Sequence, residues 1–175
     1  MLVEADEAGF VEMVLSSVEA WAPWIPKVDA SLTPAERFRR EMERARAGAE
    51  AGTNLRLIAS LGGKIVGLFA LNDIVRGAFE NGYAAWQVSA RHMGHGIGTE
   101  GVHALLATAF EGAPRGLGLH RVQANIMPAN RASLRLAQKV GFRREGIAER
   151  YLRIAGRWED HVMHAVTREE WPGTK

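Results

Sequence analysis

The sequence predicts an α/β (α+β) fold: a mixed, mostly antiparallel central sheet flanked by helices. Three observations carry this. The chain has 175 residues, 47% apolar and 24% charged, which is ordinary globular composition with enough length for one core. Segments with apolar residues at helical spacing alternate with segments of strand character, in the order helix, helix, three strands, helix, strand, helix, two strands. That order has one helical crossover and hairpin-like neighbours elsewhere, which fits neither a doubly wound sheet nor a barrel. The expectation is one domain over 1–175.

Each element has its own signal. Asp6 precedes Phe10, Val11, Val14, Leu15 and Val18 at helical spacing, so the first helix is expected to run to about Trp21, before Pro23 and Pro26. Thr33, Pro34 and Glu36 form a capping box with proline at the first helical position, and this second helix reaches about Ala51 and stops at Gly52. Strands over 55–61 and 65–74 flank the Gly62-Gly63 turn as a hairpin. After a loop through Arg76 and Glu80, a strand covers about 83–89. A glycine-rich stretch then opens a helix through Val102, Leu105, Leu106 and Phe110. A strand over 121–126 follows. Asn130 caps a short helix through Leu134, Leu136, Ala137 and Val140, ended by Gly141. Two last strands, about 142–154 and 158–167, turn at Ala155-Gly156-Arg157.

Composition excludes several chemistries. There is no cysteine, so disulfides, thiolate nucleophiles and cysteine-ligated metals are ruled out, and a reduced, cytoplasmic setting is the expectation. The acidic start, with Glu4, Asp6 and Glu7, does not read as a secretory signal, and no apolar run has membrane-spanning length. The net charge is only +2 although the isoelectric point is about 9.3, because 18 Arg never deprotonate. A high isoelectric point of this origin does not require nucleic-acid binding. Distribution is more telling. Residues 1–90 carry 9 basic and 12 acidic side chains, and residues 91–175 carry 13 and 8 with all six His. The second half is expected to meet an anion.

The stretch Arg91-His92-Met93-Gly94-His95-Gly96-Ile97-Gly98 lies between a strand and a helix. Helix-opening N–H groups lack intrahelical acceptors and glycines permit close approach, so this is an anion site or a tight turn that binds nothing. A dinucleotide fingerprint fails, because the spacing is Gly-x-Gly-x-Gly and no acid ends a second strand about 20 residues on. A Walker loop fails, because Thr99 follows Gly98 rather than Lys. Arg91-x-x-Gly94-x-Gly96 resembles the Q/R-x-x-G-x-G/A pyrophosphate loop of the GCN5-related N-acetyltransferases (GNAT). Asn130-x-x-Ser133-x-x-Leu136-x-x-Lys139-x-Gly141-Phe142 is similar to a second segment of that family. Asn72 to Phe79, His120 to Asn130, Tyr151-Leu152, Gly156-x-Trp158-x-Asp160-His161 and Trp171 resemble its RimJ-type ribosomal-protein-alanine acetyltransferases.

The resemblance implies a GNAT fold whose sheet splays at the coenzyme site, and acetyl-CoA as donor. The pantetheine is expected along the strand of Trp86, Gln87 and Val88, where it parts from the strand ending at Asn125. The pyrophosphate is expected on Arg91 and the amides of Met93, Gly94, His95, Gly96, Ile97 and Gly98, with Asn130 bonding the pantetheine arm. It implies Ser133 as the donor to the leaving thiolate, the alternative being a mid-helix Ser bonded to its own backbone. Glu149 and Glu80 are candidate bases, or solvated carboxylates. It implies a protein N-terminus as acceptor, such as a ribosomal protein beginning with alanine. A small-molecule amine, or a non-catalytic coenzyme-binding role, are the other readings. No nucleic acid, membrane or metal is required, and the chain is expected as a monomer or homodimer. A first strand is implied before Asp6, but only Met1 to Ala5 precede it, so that strand is expected to be short or missing.

Other residues leave two readings each. His92, His95 and His103 have no carboxylate pair beside them, so metal is not expected. His161 and His164 are three apart on a strand and face opposite sides. Trp21, Pro23 and Trp24 line an acceptor cleft or plug a loop. Arg37, Arg39, Arg40, Arg44 and Arg46 alternate with Glu36, Glu41 and Glu43, which favours a solvated helix face. Asp160 is expected to pair with Arg157 or Arg150.

Overall fold

A computed structural model describes residues 2–27, 29 and 31–173. Five helices are named here as α1 (Glu7–Leu15), α2 (Val18–Trp21), α3 (Pro34–Glu50), α4 (Ile97–Phe110) and α5 (Arg131–Lys139). The strands are β1 (Leu55–Leu61), β2 (Lys64–Val75), β3 (Asn81–Val88), β4 (Arg121–Ile126), β5 (Arg143–Ile154) and β6 (Arg157–Thr167). They form one sheet in the order β1-β2-β3-β4-β6-β5, antiparallel except for the parallel pair β3 and β4.

Local chemistry sets most boundaries. At the head of α3, Thr33 Oγ1 accepts from Glu36 N at 3.3 Å while the Glu36 carboxylate accepts from Thr33 N at 2.7 Å, the expected capping box. Gly62 and Gly63, at φ 56° and 77°, close the two-residue β1–β2 hairpin with both residues left-handed, as the right-handed twist of paired strands demands.

Helices α4 and α5 cover one sheet face. Phe69, Leu71, Val102, Leu105, Leu106, Val122, Ala124 and Val166 form the main core there. Gly101 is required in it, because a Cβ at that position would lie 2.0 Å from Phe69 Cζ. Helices α1 and α3 cover the β1–β2 half of the other face through Phe10, Met13, Trp21, Phe38 and Ile65.

The first helix differs from expectation. It breaks at Ser16–Ser17 into α1 and α2. Ser16 Oγ donates back to Met13 O at 3.1 Å, and the buried Ser17 Oγ accepts from Ala90 N at 2.9 Å. The serines thus compete with the helix ladder, and the break docks α2 against the end of β3. Strand β3 also begins two residues earlier than expected and ends one earlier. Ahead of α1, Val3 is extended and Glu4–Asp6 form a 3-10 turn, so no strand precedes β1 among the described residues, with Met1 outside them.

Candidate active site

Strands β3 and β4 pair only at Asn81↔Arg121, Gly82↔Val122 and Tyr83↔Gln123. Beyond that row both continue, β3 to Val88 and β4 to Ile126, without pairing to each other. The sheet therefore opens into a wedge. Ser89 N donates to Val66 O at 2.8 Å, so the odd-numbered residues at this end of β3 bond to β2, and Trp86 and Val88 turn their backbone groups into the wedge. The Val88 carbonyl accepts from Trp21 Nε1 at 3.0 Å, which leaves its N–H and both Trp86 backbone groups directed there. Trp21 is thus a buried anchor that ties α2 to the wedge.

The glycine stretch stands at the wedge's open end. Gly94 and Gly96 have φ of 82° and 87°, a left-handed backbone that L side chains rarely adopt, and nothing lies within 4 Å of a Cβ built on either. The loop therefore presents an open concavity to the first turn of α4, whose N–H groups at Ile97 and Gly98 have no intrahelical acceptor. Gly98 has a packing role besides, since its Cβ would lie 3.1 Å from Leu136 Cδ2 of α5. Arg91 sits beside the loop with its guanidinium 3.6 Å from Glu12. His95 Nδ1 lies 3.0 Å from Met93 O, and His92 Nδ1 3.2 Å from Ser89 Oγ.

Helix α5 flanks the wedge. Asn130 Oδ1 accepts from Ser133 N at 3.1 Å, capping the helix. Ser133 Oγ accepts from Trp86 Nε1 at 3.2 Å. The hydroxyl thus points at the wedge rather than at its own helix, and its proton is free to donate there. On the opposite face, Asn125 of β4 accepts from Gln123 Nε2 at 3.0 Å and donates to the Tyr151 hydroxyl at 2.8 Å.

The predicted residues Trp86, Val88, Arg91, Met93, Gly94, His95, Gly96, Ile97, Gly98, Asn125, Asn130 and Ser133 therefore gather around one wedge and its loop. The two carboxylates divide. Glu149 is exposed on β5, within a break in register against β6. Glu80 stands at the closed end of β3, where its carbonyl accepts from His120 N and Arg121 N at 3.0 and 3.1 Å. Trp86 is six positions further on, roughly 20 Å along a strand. Asp160 pairs with the backbone N–H of Arg150 at 2.8 Å, not with a guanidinium. Tyr151, whose hydroxyl meets Asn125 from inside a break in the register of β5, is a candidate that the sequence reading missed, because such a break has no period to detect.

Among the described residues no three His, Asp or Glu side chains gather as metal ligands, and no helix is long and apolar enough to cross a membrane. The Glu145 carboxyl, also on β5, is held below its ordinary value by the Arg121 hydrogen bonds first, then by Arg121 and Arg143 charge. Burial pushes the Tyr151 phenol up, with the neighbouring Tyr83 adding to the shift and the Asn125 hydrogen bond opposing it.

Comparison with known proteins agrees with this geometry. A family described as Acetyltransferase (GNAT) domain matches residues 1–143. A probable N-acetyltransferase of Bacillus subtilis, YjcK, is 38% identical over 103 residues, 59% of this chain and 55% of that protein. The [Ribosomal protein uS5]-alanine N-acetyltransferase of Escherichia coli is 36% identical over 111 residues, 63% of this chain and 55% of that protein. The chain thus spans about half the length of the curated relatives it matches. The structure of Mycobacterium smegmatis RimJ in complex with CoA-disulfide superimposes with a TM-score of 0.88 at 28% identity, covering 99% of this chain and 82% of that one.

Proposed function

We propose that this chain, which belongs to the acetyltransferase (GNAT) domain family, is one acetyltransferase domain that transfers the acetyl group of acetyl-CoA to the α-amine of a protein N-terminus. The acceptor we infer is a ribosomal protein beginning with alanine. The observation that carries the reading is the wedge between β3 and β4, with the left-handed glycine loop and the head of α4 at its mouth. The similarity to a uS5-alanine acetyltransferase and to a coenzyme-bound RimJ supports the donor and the acceptor class. Acetyl-CoA and ribosomes both place such a reaction in the cytoplasm.

The residues fit a coenzyme A thioester. The Trp86 and Val88 backbone groups offer strand-like pairing to a pantetheine arm. The loop amides and Arg91 meet the diphosphate, for which Arg91 exchanges Glu12. Asn130 keeps its amide nitrogen for the arm while its oxygen caps α5. Ser133, its oxygen already accepting from Trp86, donates its proton toward the departing sulfur. Attack is direct, so the lack of cysteine is no obstacle. An α-amine near 7.7–8.0 costs only about 1 kcal/mol to deprotonate at pH 7, against roughly 4–5 kcal/mol for a lysine near 10.4. A weakly basic site therefore suits chain termini.

The test is thiol release from acetyl-CoA with a panel of N-terminal peptides, lysine peptides and aminoglycosides. Turnover with alanine-initiated peptides is expected. Turnover confined to aminoglycosides would replace the protein acceptor with a small-molecule amine. Coenzyme binding without turnover of any amine would make the chain a binding protein.

A further inference from the structure

Helix α5 has a second face that the acetyl-transfer site does not use. Ser133 and Leu136 turn toward the wedge and α4, where Ser133 meets Trp86 and Leu136 packs on Gly98. Arg131, Arg135 and Gln138, spaced four and three apart, share the other side, toward β5 and β6. Across from them, Ala124, His164 and Arg144 stand side by side on β4, β6 and β5. Paired positions share one face of a sheet, and Ala124 belongs to the core under α4 and α5, so His164 and Arg144 rise on that same face. Between α5 and this end of the sheet lies a cavity of about 560 Å³. Phe142 and His164, both buried, form its floor, and the exposed Arg131, Arg135 and Arg144 stand around its rim.

No Asp or Glu lines this cavity. The sequence prepares it: Arg131, Arg135, Lys139, Arg143 and Arg144 fall between Glu111 and Glu145, a stretch without a carboxylate side chain. Arg143 also borders the cavity, but Glu145 and Glu170 hold its guanidinium. Arginines elsewhere, such as Arg44, Arg56, Arg121 and Arg157, have a carboxylate within 4 Å. Among the described residues no carboxylate lies that close to Arg131, Arg135 or Arg144. Arg131 and Arg135, one helical turn apart, are a like-charged pair that works against the helix. His164 donates from Nδ1 to Val162 O at 3.1 Å. Burial first, and Arg144 as well, hold its imidazole below the ordinary value against that hydrogen bond, so it is neutral at pH 7 and offsets none of the charge. Folding gains nothing from gathering three guanidiniums here, whereas a polyanion would neutralise them.

We propose that this cavity is an RNA-binding site, with the guanidiniums of Arg131, Arg135 and Arg144 on backbone phosphates and the Gln138 amide donating beside them. A guanidinium fork matches two phosphate oxygens at once. Three forks on two elements form a row rather than a point, which suits a chain of phosphodiesters more than one small anion. Such contacts read the backbone, so no base preference is expected. The choice of RNA among polyanions rests on the reading above that the acceptor is a ribosomal protein, a target surrounded by RNA. The cavity is on the far side of α5 from Ser133, so RNA and acetyl-CoA do not compete for space. RNA held there would keep the acceptor's particle beside the wedge.

The experiment follows the fluorescence anisotropy of a labelled, mixed-sequence RNA single strand between about 50 and 200 mM salt, without coenzyme or acceptor. It compares the parent with a cavity variant, Arg131→Gln with Arg135→Gln and Arg144→Gln, and with an α3 variant, Arg39→Gln with Arg40→Gln and Arg44→Gln, which removes the same charge from another exposed face. The cavity variant is expected to bind about 10- to 100-fold more weakly near 0.1 M salt, and its log–log salt slope to flatten by about 2, since each phosphate neutralised on a single strand contributes about 0.7. The α3 variant should stay within about threefold of the parent, its charges lying beyond the screening distance. The cavity variant should melt no lower than the parent, because its arginines lose no carboxylate partner, and its acetyl-CoA affinity should be unchanged. Equal loss in both variants would overturn the proposal by reducing binding to net charge. Failure of the parent to bind RNA would overturn it as well, and inorganic phosphate bound in its place would mark a small-anion site. Polyglutamate displacing the RNA as well as unlabelled RNA does would make this an acidic-peptide surface and also overturn it. Cavity-dependent RNA binding by a chain that acetylates no alanine-initiated peptide would refute the acceptor reading and uphold the cavity.

Discussion

Gly96 separates backbone strain from electrostatics at the loop. It sits at φ 87° with nothing within 4 Å of an added Cβ. Gly96→Ala should therefore meet no steric block and incur only the left-handed penalty, about 1–2 kcal/mol. At about 2–4 °C per kcal/mol for a chain of this size, the melting midpoint should fall by roughly 2–8 °C. Gly96→Glu incurs the same strain and adds a carboxylate where the diphosphate is proposed to lie. Two unit charges about 4–6 Å apart at an effective dielectric near 20 repel by about 3–4 kcal/mol. That corresponds to roughly a 100- to 1000-fold rise in Kd. Calorimetric titration of coenzyme A into both variants at 0.15 M salt measures it, since a Debye length of about 8 Å does not screen a contact this close. Equal affinity in the two variants would refute the placement of the diphosphate on this loop, because strain is common to both and only the charge differs.

Three further outcomes are expected. Gly101→Ala forces a Cβ to 2.0 Å from Phe69 Cζ, and this overpacking should destabilise by about 1–3 kcal/mol; Phe69→Leu in the same chain should recover part of the melting midpoint, and no recovery would place the strain elsewhere. Ser133→Ala should lower kcat by roughly 10-fold or more while leaving coenzyme affinity nearly unchanged, and Trp86 fluorescence should report the lost partner of its indole N–H. Glu145 is held below its ordinary value of 4.5 by Arg121, so its contribution is fully present above that value and is lost as pH falls through the depressed one. Glu145→Gln should therefore melt below the parent at pH 7, with the gap narrowing as pH falls below 4.5, and a gap that stays constant on acidification would contradict the pairing.

Much of this architecture was legible without coordinates because it rests on interactions a few residues apart. The capping box of Thr33 and Glu36, the hairpin turn at Gly62 and Gly63, and the Asn130 cap each close within three residues or fewer. Side-chain identity decides such contacts directly. The same locality explains where the structure departs from that reading. The helix predicted through Trp21 breaks because Ser17 finds Ala90, 73 positions away. Glu80, a plausible carboxylate in a loop before a strand, stands at the closed end of β3, and only the register of β3 against β4 reveals which end opens.

The sequence by itself determined the order of the elements, the glycine loop, the caps of α3 and α5, and the residue types available for chemistry. Only the tertiary structure decided how they act together. The Trp86–Ser133 bond joins residues 47 apart and the Asn125–Tyr151 bond residues 26 apart. Both depend on where two parallel strands cease to pair, and Tyr151 reaches Asn125 only because a strained bulge turns it across β6. Local propensity acts over a turn or two of chain. The opening of a wedge is a balance of packing on both faces of the sheet, settled only when the whole chain has folded.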